Sequence, residues 1–499
     1  MPISKREIKP VSVVRGALLV VGMRWTDRLI GFVSTLILAR LLLPEDFGIV
    51  AMASIIVGLI ATLLDLGVGS ALIQNKHAAR EEFDTAWTLR LMQAVFVALF
   101  IWLLAPFAAE YFRDPRVRDV VRVMAFTMLI GGFENIGIVS FQKNMEFGRD
   151  FQFFFFRRIP GFVVTIALAF WMHSYWAMVI GAVVGRTVAV GVSYLLHDYR
   201  PRFSMARLKQ IWSFSQWILI RNLGGYAQGE LDKFLVGRRT DAATMGSYAL
   251  ADEIANMPGN ELLAPLGRVL FPAFVSVADD SEKLRAMFCK AFGVQTLLAL
   301  PAAVGLAMVA GDAVPVMLGE RWLPVIPLVQ TLALIVAFSA LRHSGGYVLL
   351  ALGKVSLQAL IFWLLLGIFL FLATIIFPDA GAQELAYLRL ATSAFGSILF
   401  VALVTYYVEA LRLSDFVKHA WRPVFSTAIM ALALSVLPRF EFLAQILHLS
   451  LSIVFGAVIY ASAIIILWRI SGAQEGAETY LFEQMRIKDK IFKWLRVYR

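Results

Sequence analysis

Charged residues and cysteine are scarce in this 499-residue sequence. Charged residues make up 16% of the chain, whereas soluble globular domains contain roughly 25%. The single cysteine, Cys289, excludes an internal disulfide and a site built from several cysteines, and we interpret it as a small buried apolar residue. In contrast, 60% of the residues are hydrophobic and the mean hydropathy is +0.74. These values predict a polytopic membrane protein.

Motifs for nucleotide hydrolysis and for metal-dependent catalysis are also missing. The nearest match to a phosphate-binding loop, Gly353-Lys-Val-Ser356, lacks the preceding glycine and loop. The chain has no HExxH zinc motif and no DxD pair in a loop, and the segments between apolar stretches are too short for a soluble catalytic domain. We therefore predict that the protein is not an enzyme and has no cofactor or bound metal, with H⁺ or Na⁺ left open as a coupling ion.

Apolar stretches of about 20 residues, the length that crosses a bilayer as a helix, recur along the whole chain. They predict an all-α protein with about fourteen transmembrane helices. The one from Trp421 to Leu437 is the shortest, because Pro423 and Pro438 leave it barely long enough to cross. Lys and Arg concentrate in alternate loops, which predicts that both termini are cytoplasmic and explains the net charge of +11 without a nucleic-acid partner. Residues 471–499 predict a basic amphipathic tail on the inner leaflet.

The turn after the first predicted helix recurs 198 residues later. Residues 40–53 match residues 238–251, and Gly48 aligns with Gly246. Because six predicted helices separate the copies, the two halves are expected to be parallel repeats related by an axis along the membrane normal. We predict six-helix lobes at residues 1–198 and 199–411, followed by two additional helices at residues 412–470.

Charges interrupt the first apolar helix, which is predicted at Ser12–Leu43. A charge inside the membrane costs about 2.5–3.5 kcal/mol on insertion scales, so such groups face protein or a wet cavity. Arg24 and Arg28 are four residues apart and share a helix face, where two guanidiniums could bind phosphate oxygens. The alternative is that Asp27 pairs with one of them and both serve helix packing. An unpaired cationic pair in the membrane favours an anionic substrate.

Other charges inside predicted helices are candidates for the same cavity or for gates. Arg221 and Arg268 lie in the seventh and eighth helices, the counterparts of the first two, and could line the opposite wall. Candidates for gate ion pairs or for ligands of a coupling cation are Asp27, Glu134, Asp232, Lys233, Asp252 and Glu253. Further candidate cavity residues are Arg90, Arg186, Arg342 and Arg389, and we expect most of these intramembrane charges to be structural. Arg157 and Arg158 follow a phenylalanine run, which is typical of an anchor at the membrane interface.

Several segments together resemble a known family. They are Arg40-Leu-Leu-Leu-Pro-Glu-Asp-Phe-Gly48, Asp65-Leu-Gly-Val-Gly-Ser-Ala-Leu-Ile-Gln74, Arg268-Val-Leu-Phe-Pro-Ala-Phe274 with Asp280-Ser-Glu-Lys-Leu-Arg285, and Leu318-Gly-Glu-Arg-Trp322. In combination they resemble the Wzx-type polysaccharide flippases, most closely the colanic-acid-exporter branch of the multidrug/oligosaccharidyl-lipid/polysaccharide exporter superfamily. The resemblance implies two six-helix lobes around a cationic central cavity. At residue level it carries over only to Arg24, Arg28 and Arg268.

The function that this resemblance implies is alternating-access transfer of an undecaprenyl-diphosphate-linked oligosaccharide from the cytoplasmic to the periplasmic leaflet of a bacterial inner membrane. The implied partners are that substrate, membrane lipids, and a polysaccharide polymerase with its chain-length machinery. One alternative is a MATE-like, cation-coupled antiporter of small molecules, which favours an acidic, aromatic cavity instead of paired arginines. The other is a membrane-embedded polysaccharide polymerase or ligase, which ordinarily needs a large periplasmic loop.

Overall fold

The computed structural model describes residues 10–63, 72, 79–144, 146–207, 226, 229–438, 445–472 and 477–479, and these residues form helices without any strand. Among them, nine helices are long and apolar enough to cross a membrane. A tenth crossing results if Pro115–Gly132 and Ile136–Lys143 count as one bent span. The predicted all-α polytopic class is confirmed, while the number fourteen stays a prediction. The chain divides into two compact units, Met1–Gly246 and Ser247–Arg499.

The helices of the first unit are numbered in chain order. They are α1 (Pro10–Leu41), α2 (Pro44–Leu63), α3 (Arg80–Phe112), α4 (Pro115–Gly132), α5 (Val139–Lys143), α6 (Phe147–Met172), α7 (Trp176–Leu196) and α8 (229–239). The next helix, α9 (Ala242–Pro258), crosses the boundary between the units. Helix α1 is not among the nine apolar helices because its central charges interrupt the apolar sequence.

The predicted fourth span, Val117–Val139, is wrong as a continuous helix. Helix α4 ends at Gly132, and the chain bends by 69° before it continues at Ile136. The side chain of Asn135 accepts a hydrogen bond from the Gly137 amide at 2.9 Å, which begins the next helical turn. Two consecutive glycines weaken the helix at this point, and the bend places the carboxylate of Glu134 among arginines.

Small residues allow α6 and α7 to approach closely. A Cβ atom built on Gly161 would lie 3.1 Å from the Cα of Gly185, and one built on Gly185 would lie 3.1 Å from the Cα of Gly161. One turn further, the space beside Gly181 is filled by the side chain of Thr165. Such small residues let helix backbones pack tightly in membranes, where van der Waals contact drives association.

The two copies of the repeated turn contact each other inside the first unit. A Cβ atom on Gly48 would collide with the carbonyl oxygen of Ala242, and one on Gly246 would collide with the carbonyl oxygen of Pro44. Pro44 aligns with Ala242 at the same 198-residue offset that relates the two glycines. The contact is therefore reciprocal, as expected where two equivalent turns meet about a local two-fold axis.

The second unit holds the remaining helices. They are α10 (Ala264–Val275), α11 (Ser281–Met317), α12 (Val325–Ala351), α13 (Val355–Phe371), α14 (Ala382–Tyr407), α15 (Leu413–Val436) and α16 (Gln445–Ile470). The predicted eighth helix, Thr244–Val277, divides into α9, the π-helical turn Gly259–Leu263, and α10, because prolines interrupt its hydrogen bonds. Cys289 is buried in an aromatic and aliphatic core, as its interpretation as an apolar residue predicts.

The boundary between the compact units differs from the predicted boundary of the sequence repeats at residue 198. Tyr226 and residues 229–246 belong to the first unit. The Tyr226 hydroxyl donates to the carbonyl oxygen of Ile55 at 2.6 Å, and the Arg238 side chain donates to the carbonyl oxygen of Tyr111 at 2.7 Å. The compact units follow contacts, whereas the predicted lobes follow the repeat. The lobes therefore stay a prediction. The predicted tail lies outside the described residues except for 471–472 and 477–479.

Candidate functional site

Three arginines of the first unit stand at equal distances from helix ends. Arg90 is ten residues from the start of α3, Arg157 is ten residues from the start of α6, and Arg186 is ten residues from the end of α7. At 1.5 Å per residue, each is about 15 Å from the corresponding helix end. With the predicted orientation these ends face the cytoplasm. We therefore expect the three cations to form a layer inside the membrane.

Glu134, in the bend after α4, is the acidic member of this layer. It is only 3% exposed, and its carboxylate lies 3.0 Å from Arg90 Nη2 and 3.2 Å from Arg186 Nη1. The contact with Arg90 is a hydrogen bond, whereas Glu134 Oε2, which faces Arg186, accepts no hydrogen bond in the described part of the chain. One carboxylate therefore compensates two guanidiniums. It accepts a hydrogen bond from Arg90 and none from Arg186.

Asp27 forms an ion pair between α1 and α6. Its Oδ1 lies 3.1 Å from Nε of Arg158, and both side chains are about half exposed. The two charges belong to different helices, so Arg158 is more than the interface anchor that its phenylalanine-rich surroundings predict. The sequence could not indicate this pair, because 131 residues separate its members.

A cavity of about 380 Å³ opens between α1, α4, α6 and α7. Arg157, Arg158 and Arg186 line it, together with small residues of the α6–α7 contact such as Gly161 and Gly185. Its volume lies within the range of small-molecule pockets, roughly 300–1,000 Å³. Close packing of the α6 and α7 backbones thus brings arginines from both helices to the wall of one space.

Arg157 has no carboxylate partner among the described residues. Its interaction with the neighbouring Arg186 is repulsive, since both are cations. An uncompensated guanidinium at this depth is unfavourable unless water or an anion solvates it. The cavity wall is therefore suited to an anionic group.

Gly131 makes room for the guanidinium of Arg186. A Cβ atom at this position of α4 would overlap the guanidinium group. The glycine that helps to end α4 therefore also allows Arg186 to pass between α4 and α7 toward Glu134. Gly131 thus contributes both to the bend and to the position of the Arg186 side chain.

The four predicted cavity cations are described to different degrees. Arg24 and Arg268 lie in helices α1 and α10, although their side chains lie outside what the structure describes, and Arg221 lies outside the described residues altogether. Arg28 is half-buried on α1 and makes contacts. Their joint role in a central cavity stays a prediction.

Two of the remaining predicted gate residues form ion pairs within their own units. Lys233 Nζ lies 3.0 Å from Glu230 on α8, while Asp232 is buried. Asp252 Oδ1 lies 2.8 Å from Arg389 Nη1, and Glu253 beside it is exposed. These contacts leave a gate role as a prediction.

The sequence analysis identified Arg90, Glu134 and Arg186 as intramembrane charges but expected most such arginines to be structural, and it did not identify Arg157 or Arg158 as cavity residues. The structure places Arg90, Arg157 and Arg186 at equal distances from the ends of their helices. The predicted helix ends differ from these, so the equal spacing was not visible in the sequence. The sequence also could not indicate the pairing of Asp27 with Arg158.

Two curated proteins are similar in sequence to this chain. The lipopolysaccharide biosynthesis protein WzxC of Escherichia coli (strain K12) is 27% identical over 337 residues, which cover 66% of this chain and 68% of WzxC. The succinoglycan biosynthesis transport protein ExoT of Rhizobium meliloti (strain 1021) is 26% identical over 305 residues, or 61% of this chain and 62% of ExoT.

The fold is similar to that of the lipid II flippase MurJ in an inward closed conformation. The match has a TM-score of 0.73, covers 91% of this chain and 99% of MurJ, and shows 11% sequence identity. At that identity it supports the fold alone, that of a multi-pass membrane transporter. The family model described as "Polysaccharide biosynthesis protein" matches residues 37–327, more than half of the chain. The protein therefore belongs to this family of polysaccharide biosynthesis proteins.

Proposed function

We propose that the protein is a flippase that moves undecaprenyl-diphosphate-linked oligosaccharides from the cytoplasmic to the periplasmic leaflet of a bacterial inner membrane by alternating access. The observation that carries the proposal is the arginine-lined cavity in a member of the polysaccharide biosynthesis family. A diphosphate head group is the anion that such a chain meets in the membrane. The sugar follows the head group, and the prenyl chain stays in or near the lipid.

The two alternative functions receive less support. A MATE-like antiporter of cationic drugs favours an acidic cavity, whereas three arginines line this one. A polymerase or ligase requires a soluble or loop-borne active site. The protein in our proposal is not an enzyme, and its termini are cytoplasmic. A polysaccharide polymerase and its chain-length machinery would take up the product on the opposite side.

We propose that the membrane potential supplies energy for export. An inside-negative potential favours outward movement of a diphosphate. With about two negative charges, the free energy of transfer falls by about 4–5 kcal/mol per 100 mV. No nucleotide is needed. A proton or sodium gradient could add to this driving force through carboxylates such as Asp252 or Glu253.

The test is the initial rate of flipping of a fluorescent undecaprenyl-diphosphate oligosaccharide in proteoliposomes, with the potential set by potassium and valinomycin. We expect the rate to rise several-fold when the compartment facing the termini is made negative by about 100 mV, with no nucleotide present. Empty liposomes and a fluorescent cationic drug serve as controls. Transport of the drug without transport of the lipid, or a strict need for ATP, would overturn the proposal.

A further inference from the structure

The geometry points to the cavity between α1, α4, α6 and α7 as a binding site for the two phosphates of a diphosphate diester, with Asp27 as a counter-ion that the ligand replaces at Arg158. This inference rests on the proposed function and specifies where the head group binds. It assigns the site to the interior of the first unit and to side chains other than the paired arginines of α1.

The charge balance of the cavity selects a divalent anion. Arg157, Arg158 and Arg186 line the cavity, and Arg90 joins them through Glu134. Four guanidiniums face two carboxylates, Glu134 and Asp27, so two positive charges remain while Asp27 contacts Arg158 and three remain when the ligand displaces it. A diphosphate diester carries about two negative charges at neutral pH, one on each phosphate, and compensates two of these charges. A phosphate diester compensates only one.

Two of the arginines that line the cavity have hydrogen-bond donors that no carboxylate accepts. Arg157 has no carboxylate partner in the described residues. Glu134 Oε2, which lies near Arg186, accepts no hydrogen bond from it. Guanidiniums from α6 and α7 are thus available on neighbouring walls. Arginine binds phosphate oxygens through two parallel N–H donors, so each of these side chains could bind one phosphate.

Asp27 can separate from its arginine partner more readily than Glu134 can. Glu134 is buried between two arginines, so removing it would leave them both uncompensated. Asp27 is about half exposed and contacts Arg158 at the cavity, where water can reach both groups. A phosphate that enters the cavity can therefore take the place of the Asp27 carboxylate, and that carboxylate can return when the phosphate leaves. Such an exchange keeps Arg158 compensated in both states.

The exchange predicts opposite effects on binding and on transport for one conservative variant. In Asp27→Asn the competing carboxylate is lost at nearly unchanged volume. We expect anion affinity to rise about 5- to 10-fold and the flipping rate to fall by a similar factor, because release slows. An ion pair that only stabilises the helices would give equal or weaker binding. In Arg157→Gln we expect affinity to fall about 10-fold or more.

The experiment uses the full chain in nanodiscs and two synthetic probes, a farnesyl-diphosphate glucose and a farnesyl-phosphate glucose. We measure both dissociation constants by calorimetry, and the flipping rate of the long-chain substrate is measured separately. The wild type should prefer the diphosphate by about 10-fold or more, and Arg157→Gln should reduce that preference to about 3-fold or less. Lys283→Gln, on an exposed turn of the second unit, is the matched control and should change neither value.

The outcomes separate the site from the function. If the wild type flips the lipid but binds both probes equally, or if Asp27→Asn weakens binding, the site assignment fails while the function stands. If the wild type discriminates between the probes as expected but moves no lipid, the function fails while the site stands. Thermal unfolding of each variant shows whether it is folded, and Arg157→Lys replaces Arg157→Gln if the latter is unstable.

Discussion

The two units use intramembrane charge in different ways. In the first unit, arginines gather around a cavity and outnumber the carboxylates that compensate them. In the second unit, two ion pairs between helices each join one arginine to one carboxylate. Arg389 meets Asp252 at 2.8 Å, and Arg285 binds both oxygens of Asp415 at 2.8 Å. A balanced pair needs no further ligand, whereas an excess of cations requires one.

One polar cluster inside the second unit is held by hydrogen bonds between neighbours. The side-chain amide of Gln295 lies 2.9 Å from His343 Nδ1, and its oxygen accepts a hydrogen bond from Ser344 at 2.5 Å, which joins α11 to α12. Arg342 donates to Ser339 within α12 at 3.1 Å. Both contacts suit a structural role. In the first unit, the imbalance between neighbouring charges marks the candidate site.

The largest expected effect is from charge reversal at Arg157, which has no carboxylate partner among the described residues. Arg157→Glu replaces an attractive contact with a repulsive one, which at about 4 Å and an effective dielectric of 20 amounts to several kcal/mol. We expect flipping in proteoliposomes to fall about 100-fold or more, with the midpoint of thermal unfolding within about 2 °C of the wild type. Lys283→Glu, on the exposed turn of the second unit, is the control and should flip at nearly the wild-type rate. Equal losses in both variants would remove the distinction between the units.

A smaller effect is expected from Gly131→Ala, which leaves every charge in place. The added Cβ atom overlaps the guanidinium of Arg186, so that side chain must move away from Glu134. We expect the flipping rate to fall about 5- to 10-fold, because Arg186 loses its position at the cavity wall. Gly191→Ala on α7 is the matched control, since nothing lies within 4 Å of its Cβ position. Wild-type transport by Gly131→Ala would show that the position of Arg186 is unimportant.

The smallest effect on transport is expected in the second unit. Arg285→Ala leaves the Asp415 carboxylate, which is only 2% exposed, without its bidentate partner. We expect the folded state to lose about 1–3 kcal/mol of stability. The flipping rate per folded molecule should stay within about two-fold of the wild type, because neither residue lines the cavity. Thermal unfolding and flipping assays on the same preparation measure both quantities.

The same pair gives a pH control. The bidentate hydrogen bonds from Arg285 lower the pKa of Asp415 to about 2 from the ordinary value of 3.8. A carboxylate with a lowered pKa stabilises the folded state fully above its unfolded pKa, and this contribution disappears as the pH falls from 3.8 toward 2. The difference in unfolding midpoint between wild type and Arg285→Ala should therefore be constant from pH 5 to pH 8. A difference that shrinks within that range would contradict the assignment.

The fold class was accessible from the sequence because a bilayer imposes helices of a characteristic apolar length. The repeat was accessible too, since Gly48 and Gly246 stand in matching turns, and the reciprocal contact of these turns agrees with it. The break after α4 was not, because the apolar sequence continues across it. Gly131 and Gly132 alone do not end a membrane helix. The bend also depends on Glu134 and Asn135, whose partners come from distant helices.

By itself, the sequence determined that the protein is a helical, polytopic membrane protein, that charges lie inside its helices, and that it resembles polysaccharide flippases. Composition, periodicity and short motifs carry this information because each acts locally along the chain. Only the tertiary structure decided which charges meet. Asp27 pairs with Arg158, and Glu134 lies between Arg90 and Arg186, through contacts that join residues 44 to 131 positions apart. Whether an arginine inside a membrane helix is compensated depends on distances of about 3 Å between helices, which no local pattern in the sequence specifies.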